Sequence, residues 1–161
     1  MIDQTSALHT QMLQHCLDLA KQSVSSGGGP FAAIVVKNND IIAKASNRVT
    51  KDCDPTSHAE VNAIRRACAA LKSHQLIDCV VYSSCEPCPM CLGALFWARP
   101  LAVYFAASRR QAAAAGFDDS LIYQQIGIDG AERKIPFHHL AMADANSPFQ
   151  QWQLNHNRVK Y

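Results

Sequence analysis

Residues 84–91 read SCEPCPMC, three cysteines spaced three apart with two prolines and a glutamate among them. Some 25 residues upstream, SHAE sets His58 two positions before Glu60. Thiolate sulfur and imidazole nitrogen are the ligands that zinc prefers. Cys88 and Cys91 lie three apart, so on a helix they share one face. A helix N-terminus carries partial positive charge and free N–H groups, which favours the deprotonated sulfur that a metal needs. With His58 they make three ligands, leaving a fourth position for water, as in a catalytic zinc site. Three other readings compete. A cysteine pair at this spacing can be core packing alone. Cys85 can close a structural Cys3His site, although its place before Glu86-Pro87 puts it at a strand end and off the helix face. Ser57 and Glu60 also fit a capping box, which gives Glu60 a structural job.

These residues need elements to hold them. Leu8, Met12, Cys16 and Leu19 recur at helical spacing and predict a first helix over about residues 5–25, stopped by SSGGGP. That glycine run lacks the Lys-Ser/Thr of a phosphate loop. FAAIVVK and DIIAKASN flank Asn38-Asn39 and predict a β-hairpin. DPTS is a turn before a helix over 58–71, with Val61, Ile64, Cys68 and Leu71 as its buried stripe. CVVYS predicts a buried strand, and PMCLGALFWA a helix opened by Pro89 and ended by Pro100. LAVYFA predicts another buried strand, followed by an Ala-rich helix near 108–115. This order suggests a mixed sheet with helices on both faces. Beyond Phe117 the signal weakens. IGIDGAERKIP reads as a long connection, SPFQQWQLNHNRVKY as a helix or tail, and no second domain is evident.

The totals narrow the classes. At 161 residues, with 48% hydrophobic and 17% charged residues, the chain suits one globular domain with its own core. A net charge of +2 compels neither a nucleic-acid nor an anionic-membrane partner, and neither is expected. The seven cysteines are odd in number, and MIDQTSALHT shows no basic run followed by an apolar one. Thiols kept for packing or metal in a reducing, cytoplasmic setting are therefore expected over a disulfide framework. Cys16, Cys68 and Cys79 fit core positions and Cys53 a loop. His9, His15 and His74 show no partners in the sequence, and His138-His139 lacks a ligand spacing.

HAE followed by PCPMC matches H-x-E…P-C-x-x-C, the known signature of zinc deaminases of nucleobases. DPTSHAEVNAIRRAC, SSCEPCPMCLGALFWARP and AGFDDSLIY resemble, more narrowly, the bacterial guanine deaminases of the cytidine deaminase-like family, and the likeness runs from the first helix to Tyr161. The resemblance implies a three-layer α/β/α sandwich with a mixed five-stranded sheet, one zinc-binding deaminase domain over residues 1–161. It implies one zinc per chain on His58, Cys88 and Cys91, with Glu60 carrying protons. The reaction would be hydrolysis of guanine to xanthine and ammonia in purine catabolism. It further implies that Asp119 moves protons near the leaving amine, Asn47 hydrogen-bonds the purine, Phe31 and Trp97 wall the base, and the Ala59 backbone meets its edge. Tyr161 would close the pocket, on a segment 127–161 exchanged between the subunits of a homodimer. Read without the resemblance, Asn47 is a turn residue, Phe31 and Trp97 are core, and Asp119 or Asp118 caps LIYQQ. Two rival functions remain: a deaminase for cytosine, cytidine or tRNA adenosine, and a non-enzymatic zinc module with Cys85 as fourth ligand. AGFDDS and the C-terminal segment favour guanine, and the weak charge speaks against tRNA.

Overall fold

The computed structural model describes residues 4–161, so the first three residues of MIDQTSALHT lie outside it. The chain forms two compact units, the first ending at Asp119 and the second spanning Ser120–Tyr161.

In the first unit, α1 (Gln4–Ser25) leads into the hairpin of β1 (Ala32–Lys37) and β2 (Asp40–Ser46). Asn38 and Asn39 both take left-handed backbone angles, φ 52° and 69°. A two-residue hairpin turn requires this, and asparagine tolerates it better than most residues. A short helix, α2 (Val49–Asp52), precedes α3 (Ala59–Leu71), β3 (Cys79–Cys85), α4 (Pro89–Ala98), β4 (Ala102–Ala107) and α5 (Arg109–Ala114). The strand order is β2-β1-β3-β4. β1 runs antiparallel to both β2 and β3, and β3 runs parallel to β4. Parallel neighbours need a crossover, and α4 supplies it.

The described residues thus form four strands where the resemblance implied five. After Ala107 the described residues form helices, a 3₁₀ turn and irregular segments. The chain continues through Arg109-Arg110-Gln111 and a stretch broken by Gly127, Gly130 and Pro136, which suits turns.

Alternate residues of β1 enter two cores. Ala33 and Val35 pack with Ala59, Ala63 and Ala67 of α3 and with Leu95 and Ala98 of α4. Ile34 and Val36 pack, with Tyr82, against Met12 and Cys16 of α1. A strand buried on both sides reads as an unbroken apolar run, as AAIVV does. His9, without a partner in the sequence reading, meets the Tyr82 hydroxyl at 2.7 Å through Nδ1 and stacks on Tyr104.

Two expectations about burial are corrected. The fully buried positions of α3 are Ala59, Glu60, Ala63 and Ala67, whereas Ile64, Cys68 and Leu71 flank them and are only partly covered. Alanines let the helix backbone approach the sheet closely and push the larger side chains to the rim. β4 is an edge strand, and Tyr104 and Phe105 are exposed. Its apolar composition had suggested a strand covered on both sides.

The second unit contains α6 (Ser120–Ile126), a 3₁₀ turn at Gly130–Glu132 and α7 (Ser147–Leu154). Local bonds hold it: Phe137 N–H donates to the Gly130 carbonyl at 2.9 Å, and Arg133 donates to the Ile128 carbonyl while its guanidinium lies over the Phe137 ring. Among the described residues no helix is long and apolar enough to cross a membrane.

Candidate metal centre

His58 and Cys88 are the N-cap residues of α3 and α4, both with extended backbone and neither using its side chain to cap. Both side chains are therefore left for other work at the positive ends of two helices. Pro89 occupies the first turn of α4, where its missing N–H costs nothing. Cys91 follows one turn later and is fully buried.

The ligand atoms of His58, Cys88 and Cys91 lie within 4.8 Å of one another. His58 Nδ1 is 3.5 Å from Cys88 Sγ and 3.6 Å from Cys91 Sγ. Tetrahedral zinc with Zn–S of about 2.3 Å and Zn–N of about 2.0–2.1 Å sets sulfur and nitrogen about 3.6 Å apart. The spacing therefore fits that ion, and the two-thiolate, one-imidazole donor set suits it chemically. Cys85 is not in the cluster, since its thiol donates to the Ser108 carbonyl at 3.8 Å. With three protein ligands, one tetrahedral position remains for water or substrate. The cluster fits one zinc per chain.

Charge is arranged accordingly. The hydrogen bond from the Cys91 thiol, assisted by His58, pushes Cys88 down to about 4, so it is a thiolate at neutral pH. That thiolate, with burial, raises Cys91, and its hydrogen bond with His58 raises the imidazole. Burial and the nearby Glu60 carboxylate raise Cys85, which keeps its proton.

Glu60 is not the cap that the sequence allowed. His58 is the N-cap, and Ser57 instead donates to Asp52 Oδ2 at 2.8 Å. Asp52 is also held by the Arg48 guanidinium, and Arg48 N–H donates to the Ser57 carbonyl at 2.9 Å. This network pins the residue before His58. Glu60 is only 5% exposed. Its Oε1 accepts from Ser83 Oγ at 2.8 Å, and its Oε2 from the Cys91 thiol at 3.4 Å. Burial raises its pKa, and a hydrogen bond from its own backbone N–H, with those two bonds, partly offsets the rise. Ser83 is not a residue that motif spacing selects. Its signal is a hydroxyl two positions after Val81, on the strand face that otherwise enters the α3–α4 core.

The other candidates fall in both units. Asn47 is buried just beyond β2, with its N–H on the Phe31 carbonyl and its Oδ1 accepting from Val49 N–H. A Cβ at Gly29 would meet the Asn47 side chain at 3.0 Å, so glycine permits this approach. Phe31 is half-buried against the core and meets Phe117 edge-on at 4.9 Å. Ala59 is fully buried in the first turn of α3. Burial, then the Cys88 charge, raises Asp119. Trp97 is 65% exposed on α4, which removes its reading as ordinary core. Tyr161 belongs to the second unit, where its ring meets Trp152 edge-on.

Comparison with known proteins agrees with this geometry. Residues 6–107 match the model for the cytidine and deoxycytidylate deaminase zinc-binding region. The chain is 51% identical to the guanine deaminase of Bacillus subtilis over 95% of its own length and 99% of that protein. A solved structure of that enzyme superposes with a TM-score of 0.94, covering 95% of this chain and 98% of the other. A guanine deaminase from Nitrosomonas europaea is 34% identical with a TM-score of 0.64, covering 67% of this chain and 63% of that one. A tRNA-specific adenosine deaminase from Aquifex aeolicus is 43% identical, over 59% of this chain and 63% of its own. On the matched region and the near full-length likeness, the chain belongs to the cytidine and deoxycytidylate deaminase zinc-binding family.

Proposed function

We propose that this chain is a guanine deaminase, converting guanine and water to xanthine and ammonia as a step of purine catabolism. The observation that carries the reading is the likeness to the Bacillus subtilis enzyme over 95% of the chain, well beyond the 59% matched by the tRNA-specific relative.

His58, Cys88 and Cys91 would hold a zinc ion, which would supply Lewis acidity and lower the pKa of a water molecule to about 7. Glu60 takes the proton of the attacking water and delivers it to a ring nitrogen of the base. That makes C2, the carbon bearing the amine, electrophilic. The water oxygen adds there as a hydroxyl; as it loses its proton to become the carbonyl, the exocyclic nitrogen gains one and leaves as ammonia. Asp119, whose raised pKa lets it hold a proton longer than an ordinary aspartate, serves that step. Asn47 bonds the purine edge, the Ala59 backbone N–H lies in the helix turn whose donors are unpaired, and Phe31 and Trp97 wall the base.

The same reading extends to assembly. The two cores flanking β1 support a three-layer α/β/α sandwich. The exposed apolar residues of β4, α4 and the second unit support a homodimer, with residues 127–161 exchanged between subunits and Tyr161 closing the partner's pocket. The odd cysteine count, all of it free thiol, supports a cytoplasmic setting. Ammonia release from guanine, cytosine, cytidine and adenosine tests the function. Guanine should turn over well and cytidine hardly at all, because a pocket shaped for a bicyclic base loses contacts to a pyrimidine. Comparable rates on cytidine and guanine would sink the substrate assignment.

A further inference from the structure

Ser83 sits on β3, fully buried, paired with Ala33 of β1 on one side and Phe105 of β4 on the other. A residue held from both sides in a sheet has little freedom to move. Its Oγ accepts from the Cys85 N–H at 3.4 Å, which directs the hydroxyl proton away from that side, and it donates to Glu60 Oε1 at 2.8 Å. The other carboxylate oxygen, Oε2, accepts from the Cys91 thiol. The Ser83 contact is the shorter of the two, and its donor belongs to the sheet and not to a metal ligand. The terminal torsion of glutamate is broad, so a carboxylate without an anchor swings.

We propose that Ser83 is a positioning residue for the reaction: its hydroxyl pins Glu60 Oε1 and thereby dedicates Oε2 to proton transfer. The inference rests on the reading of Glu60 as the proton carrier. The two oxygens thus have different work, one fixed to the sheet and one facing the reacting water. Misplacing a catalytic group by about 1 Å costs up to about 100-fold in rate, so such an anchor has kinetic consequences.

The test compares zinc-loaded Ser83→Ala and Ser83→Thr enzymes with wild type. In Ser83→Ala, kcat on guanine should fall about 10- to 100-fold, the range typical of lost supporting hydrogen bonds. KM and zinc content should stay unchanged. Its crystal structure should show the Glu60 carboxylate rotated or split between orientations. Ser83→Thr keeps the hydroxyl and should restore most of kcat. Full kcat in Ser83→Ala, or a loss accompanied by departed zinc or raised KM, overturns the proposal. If Ser83→Thr does not fold, the crystal structure decides, because a single unchanged Glu60 orientation in Ser83→Ala also overturns it. A zinc-loaded Glu60→Gln enzyme run alongside separates the two levels. Near-normal turnover there removes the underlying reading, whereas an inactive Glu60→Gln beside a fully active Ser83→Ala removes only the anchor.

Discussion

The two units of this chain treat apolar side chains in opposite ways. In the first, Ile34, Val35, Leu76, Val81 and Tyr82 are buried almost completely, and the buried Glu60 carboxylate is paired with Ser83. In the second, Ile135, Phe137, Leu140, Phe149 and Leu154 all stand exposed. Burying one such side chain contributes about 1.5–3 kcal/mol, so five left in water favour a covering surface strongly. The difference teaches that the first unit has its own core, which can preorganise a metal and a carboxylate, although Phe96 and Leu101 stay exposed on it. The second is held by local turns and leaves its apolar side chains uncovered. If it closes a partner's pocket as proposed, it can exclude water without building a core of its own.

The largest way to break the comparison lies in the first unit. Cys88→Ser and Cys91→Ser should lose most of the zinc and nearly all deamination, while Cys85→Ser keeps both, as read by metal analysis and ammonia release. Equal zinc loss in Cys85→Ser would restore the four-ligand structural site. Next comes the second unit. Deleting residues 158–161 should greatly reduce guanine turnover, yet leave zinc content and thermal stability near wild type. If the segment crosses between subunits, mixing this truncated chain with full-length Glu60→Gln restores part of the activity, because one site of the mixed dimer then has both parts.

Stability draws the contrast at finer scale. Ile34→Ala should cost about 2–5 kcal/mol in denaturant unfolding, as for a deleted core side chain, whatever the protein concentration. If the second unit is covered by a partner subunit as proposed, Phe137→Ala should cost little in dilute protein and more as concentration rises, because assembly adds to the cover of its largely exposed ring. The smallest effect concerns pH. Burial raises Glu60 above its ordinary value of 4.5, so the folded metal-free protein binds more protons than the unfolded chain once pH exceeds that value. Its stability relative to Glu60→Gln should then fall as pH rises from about 4.5 through the folded pKa. Melting curves of both proteins across that window check the sign, and a pH-independent difference would deny the burial.

Much of this was legible in the sequence because it rests on local chemistry. Asn38-Asn39 marked the hairpin, Pro89 the start of α4, and the His58, Cys88, Cys91 set the metal cluster. Glu60 was ambiguous for a physical reason: the capping box and the catalytic motif overlap. What decides between them is Ser83, 23 residues away and brought close by the packing of α3 on β3. β4 misled because an apolar strand reads the same whether a helix or another molecule covers it. The stripe of α3 misled because alanine is weakly apolar by composition yet makes the closest approach to the sheet.

The central claim is that Glu60 of the first unit carries the proton in a zinc-loaded site. Ammonia release from guanine by a Glu60→Gln enzyme, with zinc measured in the same sample, tests it most directly. Glutamine keeps the shape and removes the base. The account predicts one zinc per chain and turnover lowered by about 100- to 10,000-fold or more. Near-normal turnover by a zinc-loaded Glu60→Gln enzyme would contradict it.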